Sequence, residues 1–196
     1  DGVIAIVLTL LVLGIDLPEH HDFSVEGLLS FLGKVEYQVT VYAVRPDHPG
    51  NPDAPADPPT DEDRRPNSMI QSDNPAIRKL AEESIPAEGD PWNVAVALER
   101  FVNDYISLTN YSQAFITAAD VAKNREGDCT EHSVLLAALA RARGIPARVA
   151  IGLIYTQQAN EPVYGYHMWN EVYVNDRWIP LDATLARGGA GAARLK

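Results

Sequence analysis

Three residues of this chain have types and spacings that could carry out a reaction together: Cys129, His167 and Asp182. Cys129 is the chain's single cysteine and stands in "GDCTEHSVLLAALARARGIPARV". A thiol reacts as its thiolate. The amino end of a helix favours that form, because its free N–H groups and partial positive charge stabilise an anion. The same N–H groups can receive the oxyanion that forms when sulfur attacks a carbonyl. Asp128 and Glu131 add negative charge at this helix start, so helix position alone is insufficient and an imidazole partner is required. A lone cysteine is more often an inert, buried packing residue, and a histidine within reach decides between the two readings.

Five histidines compete for that role. His20 and His21 sit in a polar turn and His48 in a Pro-rich stretch, all positions that suit solvated side chains. His132 lies three residues past the cysteine on the same helix and reads as a core or capping residue. His167 lies in "YHMWNEVYV", which has strand composition and precedes Asn175-Asp176, a two-residue hairpin turn. The return segment "RWIPLDAT" contains Pro180, which makes it an edge strand or one that leaves regular pairing early. With Asn175 and Asp176 as the loop, Val174 faces Arg177 and Asp182 falls opposite Trp169. His167 and Asp182 then become diagonal neighbours on one face, about 7–8 Å apart at Cα and within reach of each other's side chains. A carboxylate there can hold one ring nitrogen while the other faces a thiol. A zinc site of Cys129, His132 and His167 is the weaker alternative, since the spacing fits no common zinc pattern and no second cysteine exists.

The elements that must place these groups are marked by their caps. In "SDNPAIRKLAEES", Asp73 or Asn74 caps and Pro75 suits the first helical position. In "GDPWNVAVALERFVNDYI", Asp90 caps and Val94, Leu98, Phe101, Val102 and Tyr105 form the expected buried face. Thr117 caps "TAADVAKN" with Asp120 three residues on. The helix at the cysteine is expected over 130–143, with Asp128 or Cys129 as cap and Glu131 reaching back. It is apolar nearly all round from Val134 to Ala140, the mark of a central buried helix, and Gly144 and Pro146 end it.

Composition sets outer limits. The 196 residues suffice for one well-cored domain with an appendage. The net charge of -11 argues against a nucleic-acid partner. One cysteine allows no internal disulfide. Because the sequence starts at Asp1, it reads as a processed or excised piece of something longer. The apolar run Val3 to Ile15 is about 13 residues, short of the roughly 20 of a membrane helix, and reads as buried strand. Lys34 to Val44 alternates like a strand. The Pro- and Asp-dense stretch after it, residues 45–68, reads as an exposed, mobile loop. Two parts are therefore expected: 1–66, a strand-rich extension with its Pro/Asp-rich loop, and 67–196, a catalytic core.

The ordered set "GDCTEHSVLLAALARARGIPARV", "HMWNEV" and "RWIPLDAT" resembles the transglutaminase-like superfamily of papain-fold thiol enzymes, in the manner of its bacterial cysteine-protease members. The resemblance spans about Ala118 to Thr184. It implies an α+β fold with a cysteine helix packed on an antiparallel sheet. It also implies Cys129 as nucleophile, His167 as general base and acid, and Asp182 as the residue that orients the ring. Tyr111, in "TNYSQAF", is the candidate oxyanion donor beside the cysteine N–H. Trp169, a candidate substrate contact, and Trp178 match family positions better suited to wall and core. Glu131 and His132 take a supporting role. No calcium-site pattern of the cross-linking enzymes is present. The expected activity is thiol-dependent acyl transfer on a peptide or protein substrate, hydrolytic before cross-linking, with no cofactor or metal. The alternatives are a protein-glutamine cross-linking enzyme and a non-catalytic papain-like binding module.

Overall fold

In a computed structural model of the chain, residues 43–47, 56–85, 89–107, 116–158, 161–190 and 193–196 are described. The chain divides into Asp1–Thr40, which lies outside these residues, and Val41–Lys196. The expected strand at Val3 to Ile15 and nearly all of that at Lys34 to Val44 therefore lie outside the description, as does Tyr111.

Among the described residues four helices come first, and local chemistry starts each one. Helix α1 (Pro75–Ser84) is capped by Asn74, whose Oδ1 accepts from Ala76 N at 2.9 Å. Helix α2 (Pro91–Tyr105) is capped by Asp90 through Trp92 N and Asn93 N. Helix α3 (Ala118–Asn124) is capped by Thr117. The cysteine helix, α4 (Cys129–Ala142), starts one residue earlier than its sequence suggests. Asp128 caps it in a full capping box with Glu131. Each such cap is worth about 1 kcal/mol.

A four-stranded antiparallel sheet follows: β1 (Ala147–Gln158), β2 (Glu161–Val174), β3 (Arg177–Leu181) and β4 (Arg194–Leu195), in the order β3-β2-β1-β4. The β2–β3 turn is Asn175-Asp176, both with positive φ (52° and 59°), the geometry that matches strand twist in a two-residue hairpin. Val174 pairs with Arg177 and Asn170 with Leu181, the register expected from the sequence. Pro180 sits on β3, at the sheet edge, where a missing N–H costs no ladder bond.

Helix α4 packs against β1 and β2 on one side and against α1, α2 and α3 on the other. Every residue from Glu131 to Arg141 is buried, as its all-round apolar sequence requires. With Leu98, Val102, Val172, Ile179 and Leu181 it forms the centre of the core. The buried face of α2 differs from the one expected. Ala95, Leu98, Glu99 and Val102 point inward, while Val94, Phe101 and Tyr105 are only partly buried. The inward face includes a buried carboxylate, Glu99, that hydrophobic periodicity cannot select.

Part of the Pro/Asp-rich stretch is exposed yet tethered. Asp57 O accepts from Trp178 Nε1 at 2.7 Å, Asp57 Oδ2 pairs with Arg148 at 2.8 Å, and Asp63 O accepts from Ala147 N at 3.0 Å. Composition correctly indicates a segment without its own core, but these main-chain and charged contacts hold residues 57–65 against the sheet edge.

Candidate active site

The site is built where the amino end of α4 meets the hairpin of β2 and β3. Gly127 shapes the approach. Its φ is 154°, and a Cβ there would lie 2.2 Å from Glu131 Cβ, so only glycine lets the chain enter the helix beside that side chain. The capping box then consumes most of the first-turn donors. Thr130 N bonds Asp128 Oδ1 at 2.8 Å, and Asp128 N bonds Glu131 Oε2 at 2.9 Å. Asp128 also receives the Glu131 backbone. Among the described residues, the N–H of Cys129 is left without a partner, at the helix end whose partial charge favours anions.

Cys129 itself is half-buried. His167 stands on β2 and lines the same cleft as the thiol, which helps to raise the pKa of its ring. His167 Nε2 meets Asp182 Oδ2 at 2.8 Å, which leaves Nδ1 for the sulfur. Asp182 lies one residue beyond β3, and its side chain is 2% exposed. The structure thus brings Cys129 and His167 into one cleft and bonds His167 to Asp182.

Charge follows from that arrangement. His167 is pushed up to about 9, chiefly by its bond to Asp182 and next by Cys129, with burial opposing. Asp182 is held below the usual carboxylate range: burial pushes it up, and the bonds from His167 and Arg194 outweigh that. The imidazole is therefore a cation at neutral pH.

His132 takes a different state. Its Nδ1 lies 2.6 Å from the carbonyl of Asp128, an acceptor only, so Nδ1 carries the proton. Burial lowers its pKa, so it stands neutral in the wall of the same cleft. The cleft, about 420 Å³, is lined by Asn103, Asp128, Cys129, His132, His167 and Thr184 among others. Trp169 is 2% exposed and stacks behind His167 with ring centres 6.4 Å apart, so it backs the imidazole from the core side. Among the described residues no group of three His, Cys, Asp or Glu side chains is placed to hold a metal ion.

Two residues of α2 that the sequence does not single out support the site. Glu99 is fully buried and accepts from Asp182 N at 2.8 Å, Gly188 N at 2.7 Å and Gly189 N at 3.4 Å. Asn103, one turn later, donates to Ala183 O at 2.8 Å and Thr184 O at 3.2 Å. Together they clamp the backbone on both sides of the Asp182 carboxylate. Their one visible signal is the i, i+4 spacing of two polar residues along a largely apolar helix.

Residues 78–183 match the family model described as the transglutaminase-like superfamily, more than half of the chain. The chain belongs to the transglutaminase-like superfamily. Among solved structures it is similar to one described as a "Putative Cysteine Protease" from Cytophaga hutchinsonii, at 24% identity and a TM-score of 0.55. The match covers 68% of this chain and 46% of that one, and identity at this level speaks for a shared fold alone. It is also similar to the periplasmic domain of TgpA from Pseudomonas aeruginosa, at 26% identity and a TM-score of 0.46, over 58% of this chain and 43% of that one. In both cases the chain spans less than half the length of the structure it resembles. No curated protein matches the sequence. The α+β architecture, a buried cysteine helix on an antiparallel sheet, is that of the superfamily's papain-like core. No helix among the described residues is long and apolar enough to cross a membrane.

Proposed function

We propose that this transglutaminase-like chain is a cysteine-dependent acyl-transfer enzyme, with Cys129 as nucleophile, His167 as acid and base, and Asp182 as the group that holds the ring. The observation that carries the reading is the 2.8 Å bond between His167 Nε2 and Asp182 Oδ2, in a cleft that His167 and Cys129 line together. The imidazolium and the helix end both favour sulfur as an anion. That anion attacks a carboxamide or peptide carbonyl, forming a C–S bond and moving the π electrons onto oxygen. The N–H of Cys129, without a partner among the described residues, donates to the new oxyanion at the helix end. His167 gives its proton to the leaving nitrogen, the C–N bond breaks, and a thioester remains. The ring, now neutral, takes a proton from the acceptor as it attacks the thioester, and the thiolate leaves.

The acceptor decides the class. Water yields a peptidase or amidase, and a primary amine yields a cross-linked product. Hydrolysis is the favoured outcome, because the sequence carries no calcium-site pattern of the cross-linking enzymes and polar side chains line the cleft. The substrate is a peptide or protein, and the catalytic part is residues 67–196. A library of peptides incubated with and without a primary amine tests both points. Release of free acid or new N-termini, lost in Cys129→Ala, supports hydrolysis, and amine incorporation supports transfer. Iodoacetamide separates both from a non-catalytic binding module. An enzyme labels rapidly at Cys129 near neutral pH and slowly in His167→Ala, and a module would show neither.

A further inference from the structure

Asp182 is bonded on every side. Its Oδ1 accepts from Thr184 N at 3.1 Å, and its own N–H goes to Glu99. Its Oδ2 accepts from two donors at once, His167 Nε2 and the Arg194 guanidinium. The arginine's side chain is 9% exposed. Its Nε is buried with no partner among the described residues, so Asp182 is what offsets the cost of removing this cation from water.

Arg194 arrives on β4, a two-residue strand paired with Leu153 and Ile154 of β1. The strand can dock only because of a glycine. A Cβ on Gly152 would lie 2.0 Å from Leu195 O and 2.9 Å from the Trp169 ring. Gly152 is also the residue paired with His167 across β1 and β2. A missing side chain opposite the histidine thus makes the space through which a cation reaches the histidine's own carboxylate.

We propose that Arg194 is a positioning residue: delivered by β4 through the gap at Gly152, it fixes the Asp182 carboxylate against the ring and withholds part of its charge from His167. This rests on the reading of His167 as the acid and base of the site. Around the pair, Cys129 and His132 face it from α4, Glu99 from α2 and Arg194 from β4. Of these, Arg194 is the cation in direct contact. With the arginine present, the imidazolium forms but can still release its proton when the acceptor attacks. Without it, the undivided carboxylate holds the proton tighter, and the second half of the reaction, which needs a neutral ring, is slowed at neutral pH.

The test is an NMR titration of His167 in the full chain carrying Cys129→Ala, alone and with Arg194→Gln, Arg194→Lys or Gly152→Ala. It reads the ring whether or not any substrate is turned over, so failure of the functional reading, tested by alkylation and peptide turnover, is seen separately. Arg194→Gln is expected to raise the His167 midpoint by about 1 pH unit, as loss of a neighbouring like charge should. Gly152→Ala is expected to do the same with the arginine still in the sequence, because it dislodges β4. Arg194→Lys keeps the charge and should stay within about 0.3 pH units of its parent. An unshifted or lowered midpoint in a folded Arg194→Gln or Gly152→Ala chain overturns the proposal. If Arg194→Gln does not fold, the Gly152→Ala titration decides the matter on the same criterion.

Discussion

Replacing Asp182 with asparagine tests the electrostatic argument at its centre. The carboxylate is the largest cause that raises His167 to about 9, from an ordinary value of 6.5. Asparagine can still accept a hydrogen bond but carries no charge, and Arg194 then faces the ring with its own charge uncompensated. The midpoint should fall back to about 6.5 or below, a drop of about 2.5 pH units, equivalent to roughly 3 kcal/mol. At pH 7.5 the ring then changes from almost fully charged to about one-tenth charged. Alkylation of Cys129 by iodoacetamide, followed from pH 5 to 10, reads this directly. The native chain should label at a nearly level rate through neutrality. Asp182→Asn should label about 10- to 100-fold more slowly at pH 7 and recover at alkaline pH. The buried, unpaired arginine should also cost stability, about 3–5 kcal/mol, so circular dichroism must first show that the variant is folded. A folded Asp182→Asn chain that labels at the native rate with the native pH profile would refute the reasoning.

Three further outcomes follow from the same geometry. Glu99→Gln swaps a carboxylate that accepts three backbone N–H groups for an amide with one accepting oxygen, so urea unfolding should show a loss of about 2 kcal/mol. Its turnover, if measured, should fall with it, because Asp182 loses its backbone anchor. Gly127→Ala should disrupt the capping box and lower both the melting temperature and the Cys129 labelling rate, since its Cβ would stand 2.2 Å from that of Glu131. Stability should also depend on pH through His167. A histidine whose folded midpoint lies above its unfolded one stabilises fully below about 6.5, progressively less up to about 9, and not at all beyond. The contribution is about 3 kcal/mol and counts the His167–Asp182 pair once, so urea midpoints at pH 6 and pH 10 should differ in the native chain and much less in His167→Gln.

Sequence alone determined the local events at the site. Asp128 and Glu131 mark the start of α4 to within one residue, because capping involves residues three apart. Asn175-Asp176 fixes the β2–β3 register, because a two-residue loop allows one pairing, and that register puts His167 beside Asp182. It also marked α4 as central, since a helix with no polar face has no place at a surface. Beyond such short separations the signal ended. β1 had no turn or alternation distinct enough to single it out, though it forms the longest pairing with β2. The Glu99 carboxylate has the look of surface charge on an amphipathic helix, and only the convergence of the Asp182 and Gly188 amides on it shows otherwise.

What only the tertiary structure decided is the meeting of groups far apart in the chain. Packing α4 on β2 brings Cys129 to His167, and docking β4 through the Gly152 gap brings Arg194 to Asp182. These contacts depend on the summed fit of the buried core. No property of a single segment encodes which distant segment it will touch, which is why the helix start and the hairpin could be read in advance and the arginine could not.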